Sequence, residues 1–270
     1  MPVRAELKPK GPYSLRVSGR LASDATRVVV DGTYRATVRV DGRLERVHAV
    51  QRTDGVVVVA ADNDAGLDEV RFARDPLLGE TLRRIRGLRP MRTGTVAQAL
   101  LRAVAGQLIQ ASEARRNERR IVRRTSPELR GLHAAPTADE LGRYSPAELA
   151  RLGLGARRAS ALIRLCRTLD LEGLKAHPTR SVTTRLVRER GLGPWSAGIV
   201  CLEGLGRYET GLARDLGLAK LASALWGRWV EAEETDELLV PYGEWAGLAS
   251  VYLLAGFGRG LVPLPRAAAA

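Results

Sequence analysis

The first part of the chain carries a β-type pattern of hydrophobic positions. Between residues 13 and 61, short runs rich in Val and Thr, such as 33–40 and 56–61, alternate with polar turns. Asp-Gly pairs separate the runs, and both residues tolerate the positive φ angles of tight hairpin turns. These pairs are Asp31-Gly32, Asp41-Gly42 and Asp54-Gly55. The pattern predicts a small, mostly antiparallel sheet.

The pattern becomes helical after a break between residues 85 and 95. Asp75-Pro76 and the Gly-Leu-Arg-Pro run at 87–90 interrupt the strands, and apolar positions then recur at helical spacing. The predicted helices cover residues 96–124, 145–152, 156–169, 181–190, 195–205, 216–229 and 242–255. We therefore expect an α+β fold with an N-terminal sheet domain at 1–90 and a helical domain at 91–270. The cleft of the helical part is the expected active site.

Composition narrows the function classes. The 270 residues are 45% hydrophobic, which is enough for a full core and favours two domains. Lys and Arg number 43 against 30 Asp and Glu, giving a formal net charge of +13. Arg dominates the basic set, and its planar fork binds phosphate in two places at once. The charge favours nucleic acid as a partner, although an anionic membrane or simple solubility would also suit it.

The two cysteines, Cys166 and Cys201, lie far apart in apolar helical patterns. We therefore expect neither a disulfide framework nor a metal site built from several thiolates. The cysteine content indicates a reducing cytoplasm. The N-terminus has no apolar signal core, and no run approaches the roughly 18 uninterrupted apolar residues of a membrane span. We expect neither secretion nor membrane insertion.

The most distinctive local motif is LVRERGLGPWSAGIV at residues 186–200. Gly191 and Gly193 allow a tight turn, and Pro194 suits the first position of a helix. The unpaired amides at the start of that helix can hold a DNA phosphate without reading base sequence. An ordinary hairpin of two helices would show the same spacing.

This motif resembles the hairpin of the helix-hairpin-helix DNA glycosylases, whose pattern is Gly, aliphatic, Gly, any residue, Trp or Lys, Thr or Ser, Ala. In that superfamily an essential Asp follows about twenty residues after the Trp or Lys, and here Asp215 follows Trp195. Residues 102–114, 145–165 and 244–254 are similar to segments of one branch, the DNA-3-methyladenine glycosylase II family. The resemblance implies phosphate binding by Gly191, Gly193, Trp195 and Ser196.

Asp215 is the catalytic residue that the resemblance implies. Its position also suits the N-cap of a helix beginning at Leu216, and one carboxylate can serve both roles. Cleavage of an N-glycosidic bond builds positive charge on the sugar, which a nearby carboxylate stabilises.

Trp195 stands where bifunctional relatives carry a Schiff-base Lys, so hydrolysis without strand cleavage is implied. Its face can stack on a flipped cationic base, while packing in the core is the alternative. The implied base pocket consists of Trp195, Ile199, Trp245 and Leu254. Ile199 and Leu254 stand where some relatives have aromatic residues, which predicts a less aromatic pocket.

The resemblance also implies a wedge, the side chain that fills the DNA stack where the target base has left. Leu108 matches it, with Gln107 beside it as a partner for the orphaned strand, although Leu108 also continues the apolar stripe of Val96, Leu100 and Val104. Arg157 and Arg158 are candidate phosphate contacts, and residues 115–124 are expected to form a solvated helix face.

The sequence therefore predicts a monofunctional DNA glycosylase that hydrolyses alkylated bases, chiefly 3-methyladenine-type purines, from flipped nucleotides. Its expected partner is double-stranded DNA containing damaged bases, with no metal or organic cofactor and no membrane. The expected state is a monomer in the cytoplasm, on the nucleoid in a bacterium. A glycosylase for deaminated or oxidised bases and a non-catalytic DNA-binding module are the alternatives.

Overall fold

The structure is a computed structural model that describes residue 9 and residues 12–40, 42–51 and 75–265. Near the N-terminus, β1 (Arg27–Val30), β2 (Thr33–Val40) and β3 (Arg43–Val50) form an antiparallel sheet in the order β1-β2-β3. Val30 pairs with Thr33 across a two-residue turn in which Asp31 has φ 50° and Gly32 has φ 75°. The predicted sheet and its Asp31-Gly32 turn are thus present, whereas residues 54–61 lie outside the described part.

The predicted β character of residues 13–22 is wrong. The segment forms helix α1 (Leu15–Ala22), which begins where the Ser14 side chain accepts a hydrogen bond from the Val17 amide. The helix buries Leu15 completely. A short segment with one strong cap and one buried face folds as a helix, and its single Val gives little preference for a strand.

The N-terminal elements are bonded directly to the helical part. The amide of Ser14 donates to the Gly87 carbonyl at 2.9 Å, and that of His133 to the Ala25 carbonyl at 2.9 Å. Helix α2 (Gly79–Arg84) packs on the last helix of the fold. The division at residue 90 stays a prediction.

The helical part contains α3 (Val96–Gly106), α4 (Ala111–Thr125), α5 (Ala138–Gly142), α6 (Pro146–Arg151), α7 (Ala156–Thr168), α8 (Thr179–Arg188), α9 (Pro194–Ile199), α10 (Leu216–Trp226), α11 (Thr235–Leu239) and α12 (Ala246–Phe257). A two-stranded ribbon of β4 (Glu128–Leu129) and β5 (Leu132–His133) follows α4. Turns of 3₁₀ helix cover Glu172–Ala176, Ala232–Glu234 and Val240–Trp245, and a π-helical segment, Val200–Leu205, extends α9.

Helix α3 is the centre of the helical core, and it contacts α4, α7, α9 and the π-helical segment. The long helix predicted over 96–124 is wrong because the chain breaks between α3 and α4. Gln107 leaves helical geometry and Leu108 takes a left-handed conformation with φ 57°. The predicted helix at 216–229 is also too long, since it ends at Gly227, which has φ 65°.

The stretch from Ala232 to Phe257 has 26 residues and is long and apolar enough to cross a membrane. The expectation that no run approaches 18 uninterrupted apolar residues is not contradicted, since Glu244 lies within this stretch, and the expected lack of membrane insertion stays a prediction. The stretch is interrupted at Gly243, which has non-helical φ and ψ angles, and 61% of its apolar window is buried. Its last part, α12, packs against α2, α10 and α11 as a helix of the core.

Candidate active site

The hairpin consists of α8, the turn from Glu189 to Gly193, and α9. Gly191 has φ 94°, a conformation that favours glycine, whereas Gly193 has φ −119° and ψ −177°, which any residue adopts. A Cβ atom at Gly193 would meet no heavy atom within 4 Å. Only Gly191 is therefore required for the turn itself, and Gly193 leaves open space beside the first amides of α9.

Arg164 of α7 holds the hairpin from the side. Its Nη1 lies 2.7 Å from Oε2 of Glu189, and its Nη2 donates to the Arg190 carbonyl at 2.8 Å. Two bonds from one planar group fix the direction in which the turn projects. Arg164 was not recognised from the sequence, where it is one of many arginines on helix faces.

Trp195 opens α9 and lies on the C-terminal end of α3. A Cβ atom at Gly106 would come within 2.7 Å of the Trp195 ring, so the indole fits only because residue 106 lacks a side chain. The indole Nε1 donates to Oδ2 of Asp215 at 2.8 Å. The hairpin and the carboxylate that follows it by twenty residues therefore meet in space.

Asp215 caps α10, as the sequence predicts. Its Oδ1 accepts from the amides of Gly217 at 2.7 Å and Leu218 at 3.2 Å, while Oδ2 accepts from Trp195. Oδ1 thus caps the start of α10, and Oδ2 connects the residue to the hairpin. Asp215 is partly exposed, so its carboxylate remains open to a ligand.

Trp195 and Asp215 line a cleft of about 1290 Å³ between the N-terminal part and the helices. Ile199 and Leu254, two predicted pocket residues, also line it, whereas Trp245 does not. The Trp245 ring lies 6.2 Å from that of Tyr208 and packs against the core. The structure thus brings Trp195, Ile199 and Leu254 together and places Trp245 apart from them, and its role in the base pocket stays a prediction.

Leu108 projects from the break between α3 and α4 and lines the same cleft. Its side chain is 90% exposed, although apolar periodicity assigns it to the core. The core interpretation is wrong because the backbone leaves the helix one residue earlier. An exposed leucine beside the hairpin has the placement that a wedge requires.

Gln107 and Arg158 support the Leu108 loop. The Gln107 Nε2 donates to the Gly191 carbonyl at 2.8 Å and to Oγ of Ser196 at 3.0 Å. The Arg158 Nη1 donates to the carbonyls of Ala105 at 3.2 Å and Gln107 at 3.0 Å. These contacts link the loop to the hairpin and to the start of α7. Both side chains are engaged within the protein, which differs from their predicted contacts with DNA.

The remaining predicted contacts lie at the cleft or near it. Gly191, Gly193 and Ser196 line the cleft, and Ser196 is buried. Arg157 is exposed but is not among the lining residues. From the basic run at 115–124, Arg115 and Arg119 reach the cleft, so part of this predicted solvated face lies beside the site.

A buried charge network also lines the cleft and was not recognised from the sequence. Nη2 of Arg102 in α3 lies 2.7 Å from Asp24 and 2.8 Å from Glu118, and Nη1 contacts Glu203. Burial raises the pKa of Asp24, but Arg27 and Arg102 beside it lower the pKa more, and it ends below its ordinary value. The signal in the sequence is a single arginine within the apolar run VAQALLRAVAG.

Neither thiol has the lowered pKa of a reactive cysteine. Burial raises the pKa of Cys166 to about 12 and that of Cys201 to about 11. Reactive cysteines have the opposite shift. Among the described residues, no cluster of three or more His, Cys, Asp or Glu side chains could hold a metal ion.

Two curated relatives share sequence with the chain. A DNA-3-methyladenine glycosylase of Bacillus subtilis is 27% identical over 204 residues, which cover 71% of this chain and 67% of the relative. A probable bifunctional transcriptional activator/DNA repair enzyme AlkA of Mycobacterium tuberculosis is 26% identical over 255 residues, which cover 83% of this chain and 50% of the relative. The chain thus matches only half the length of the second relative. No family model matches the chain.

Two solved structures share its fold. A 3-methyladenine DNA-glycosylase from Archaeoglobus fulgidus has a TM-score of 0.79 at 23% identity, covering 95% of this chain and 98% of that one. An 8-oxoguanine glycosylase/lyase of Clostridium acetobutylicum, in complex with double-stranded DNA, has a TM-score of 0.75 at 18% identity, covering 96% and 99%. The shared fold spans both the sheet and the helices, and the predicted resemblance to the DNA-3-methyladenine glycosylases, among the helix-hairpin-helix DNA glycosylases, is confirmed.

Proposed function

We propose that this protein hydrolyses the N-glycosidic bond of alkylated bases, chiefly 3-methyladenine-type purines, in double-stranded DNA. The observation that carries the proposal is the 2.8 Å hydrogen bond between Trp195 and Asp215 at the wall of an open cleft. It puts a carboxylate and an aromatic face side by side, beside a hairpin suited to bind phosphate. The sequence similarity to a relative named DNA-3-methyladenine glycosylase supports the same activity.

Asp215 supplies the charge that the reaction needs. Departure of the base leaves positive charge on the sugar, and a fixed carboxylate stabilises that charge in the transition state more than in the ground state. Oδ1 of Asp215 is held by two amides of α10, and Oδ2 by the indole of Trp195. A carboxylate fixed at both oxygens does not have to reorganise as the bond breaks.

Trp195 and the apolar lining select the base. Alkylation at a ring nitrogen makes a purine cationic, and the negative face of an indole attracts a cation. Ile199 and Leu254 add apolar contact without further aromatic faces. An alkylated purine is also a good leaving group, so a site with one carboxylate and one stacking face is sufficient for its release.

The DNA lies across the hairpin and the basic rim of the cleft. The first amides of α9 and the space left by Gly193 receive a backbone phosphate. Arg115, Arg119 and Lys220 line the cleft and neutralise further phosphates. Leu108 enters the stack from the side and fills the gap left by the flipped nucleotide.

The proposed reaction is tested by incubating methylated duplex DNA with the protein and identifying each freed base by mass. We expect 3-methyladenine-type purines to be released while the sugar-phosphate strand stays intact, because Trp195 replaces the amine of a lyase. Borohydride added during the reaction should trap no covalent adduct. Lys220→Ala tests whether a lysine that lines the cleft supplies the amine of any adduct that borohydride traps.

Release of only deaminated or oxidised bases from parallel oligonucleotides would contradict the proposed specificity. An adduct trapped by borohydride and lost in Lys220→Ala would contradict hydrolysis alone. Absence of any base release would favour the alternative of a non-catalytic DNA-binding module.

Leu108→Ala should lower base release from duplex DNA by roughly tenfold and change release from single strands much less, because an unpaired base leaves its stack without help. Folding should not suffer, because the side chain is 90% exposed. Val240→Ala is the matched control, a 74% exposed apolar side chain outside the lining of the cleft. Equal losses on both substrates, or a large fall in melting temperature, would remove the wedge role.

A further inference from the structure

The segment that carries Asp215 has a strained backbone. Arg214, directly before Asp215, has φ 65°, a left-handed conformation that is unfavourable for a residue with a side chain. The Asp215 amide closes the turn by donating to the Leu212 carbonyl at 3.1 Å. Such a conformation persists only where neighbouring groups hold it.

Two buried hydroxyl groups hold this turn. Oγ1 of Thr235, the first residue of α11, accepts from the Arg214 amide at 2.7 Å. Oγ of Ser250 in α12 accepts from the Leu212 amide at 3.1 Å. Both side chains are completely buried.

Each hydroxyl also donates a hydrogen bond, which fixes the direction of its lone pairs. Thr235 donates to the Ala232 carbonyl at 2.7 Å, and Ser250 donates to the Ala246 carbonyl at 2.7 Å. Both groups are thus used as donor and acceptor, and neither can rotate without leaving a buried polar group unpaired. Two helices, α11 and α12, therefore hold the turn.

A change in the Arg214 backbone would move the catalytic carboxylate. Asp215 is the next residue, and its Oδ2 must stay within hydrogen-bond reach of Trp195 Nε1, which it meets at 2.8 Å. A misplacement of about 1 Å at a reacting group can cost roughly a hundredfold in rate. A relaxed turn would therefore weaken the Trp195 contact before it weakens the fold.

We propose that Thr235 and Ser250 are positioning residues that aim the Asp215 carboxylate through the Leu212–Asp215 turn. The proposal rests on the glycosylase function proposed above. Neither residue lines the cleft, and both act through backbone amides rather than through the substrate.

Thr235→Val removes the hydroxyl and keeps the shape. We expect single-turnover base release from methylated duplex to fall at least tenfold, and affinity for a duplex with a tetrahydrofuran abasic analogue to change less than about twofold. Thr235→Ser should restore release, because it restores the acceptor. Thr125→Val is the matched control, since Thr125 is also buried and donates to the Ile121 carbonyl, but at the end of α4.

The NMR resonance of the Trp195 indole N–H, assigned by comparison with Trp195→Phe, reports on the hydrogen bond to Asp215 independently of activity. It should shift in Thr235→Val and in Ser250→Ala and stay in place in Thr125→Val. If Thr235→Val does not fold, base release and the indole resonance of Ser250→Ala test the proposal instead. Wild-type release together with an unmoved resonance in folded variants would overturn the positioning role. Lack of release by the wild-type protein would instead overturn the proposed function, whatever the resonance does.

Discussion

Asp215→Asn should reduce single-turnover base release by about a hundredfold or more, because one preorganised charge is lost at the reacting centre. The substitution keeps the size of the side chain but not its two acceptors. Oδ1 caps α10 and Oδ2 receives the Trp195 indole, so an amide can satisfy only one of these partners. We therefore expect a loss of about 1 kcal/mol in the free energy of unfolding beside the loss of activity.

Thr137→Ala separates these two effects. Thr137 caps α5 by accepting from the Glu140 amide at 3.2 Å, and it is not among the residues that line the cleft. Its removal should cost a similar amount of stability and leave base release unchanged. Melting temperature, affinity for the abasic-analogue duplex and base release should be measured on the same preparations. Near-normal release by folded Asp215→Asn would remove Asp215 from catalysis.

Trp195 and Asp215 could be predicted together because their identities and spacing follow from local sequence and from the family resemblance. The hairpin turn needs a glycine at Gly191, and α10 needs a capping residue at Asp215, so each position is constrained by its own short segment. What spacing could not predict is the bond between them. It depends on Gly106, which makes room for the indole.

Leu108, Gln107 and Arg158 show where local pattern misleads. The apolar stripe of α3 continues smoothly into Leu108, and nothing in that stripe marks the break that exposes it. Gln107 and Arg158 are polar residues beside a DNA-binding motif, which suggests contacts with DNA. Their actual partners are the carbonyl of Gly191 in the hairpin turn and that of Ala105 near the end of α3, which require hydrogen-bond donors.

The buried charges could not be paired from sequence at all. Arg102, Asp24, Glu118 and Glu203 belong to four segments that are distant along the chain. Only the folded arrangement brings them together, and a single arginine in an apolar helix identifies one member without its partners. The same network joins the N-terminal part to the helices at the wall of the cleft, so its loss should affect the whole protein.

Arg102→Met should lower the free energy of unfolding at neutral pH by about 3–5 kcal/mol, the cost of removing the cation that the buried carboxylates share, although Asp24 keeps Arg27 at 3.3 Å. Side chains of Asp24 and Glu118 are only 6% and 3% exposed, so water cannot replace the lost partner. In a chain of this size we expect the melting temperature to fall by roughly 10 °C. Arg164→Met is the control, because its 41% exposed pair with Glu189 should contribute less than about 1 kcal/mol.

The pH dependence identifies the cause. In the wild-type protein the pKa of Asp24 lies below its ordinary value of 3.8, so its contribution is present above that pH and is lost as the pH falls through the lowered pKa. In Arg102→Met, Asp24 keeps Arg27 but loses Arg102, so its buried carboxylate is more easily protonated, and protonation relieves part of the penalty. The difference in the free energy of unfolding between the two proteins should therefore be largest near pH 7 and become smaller as the pH falls toward 4.

Glu118→Gln added to Arg102→Met should recover part of the lost stability at pH 7, since it removes the most deeply buried of the three carboxylates that contact Arg102. A difference that stays constant with pH would mean that Arg102 stabilises the fold by packing rather than by charge.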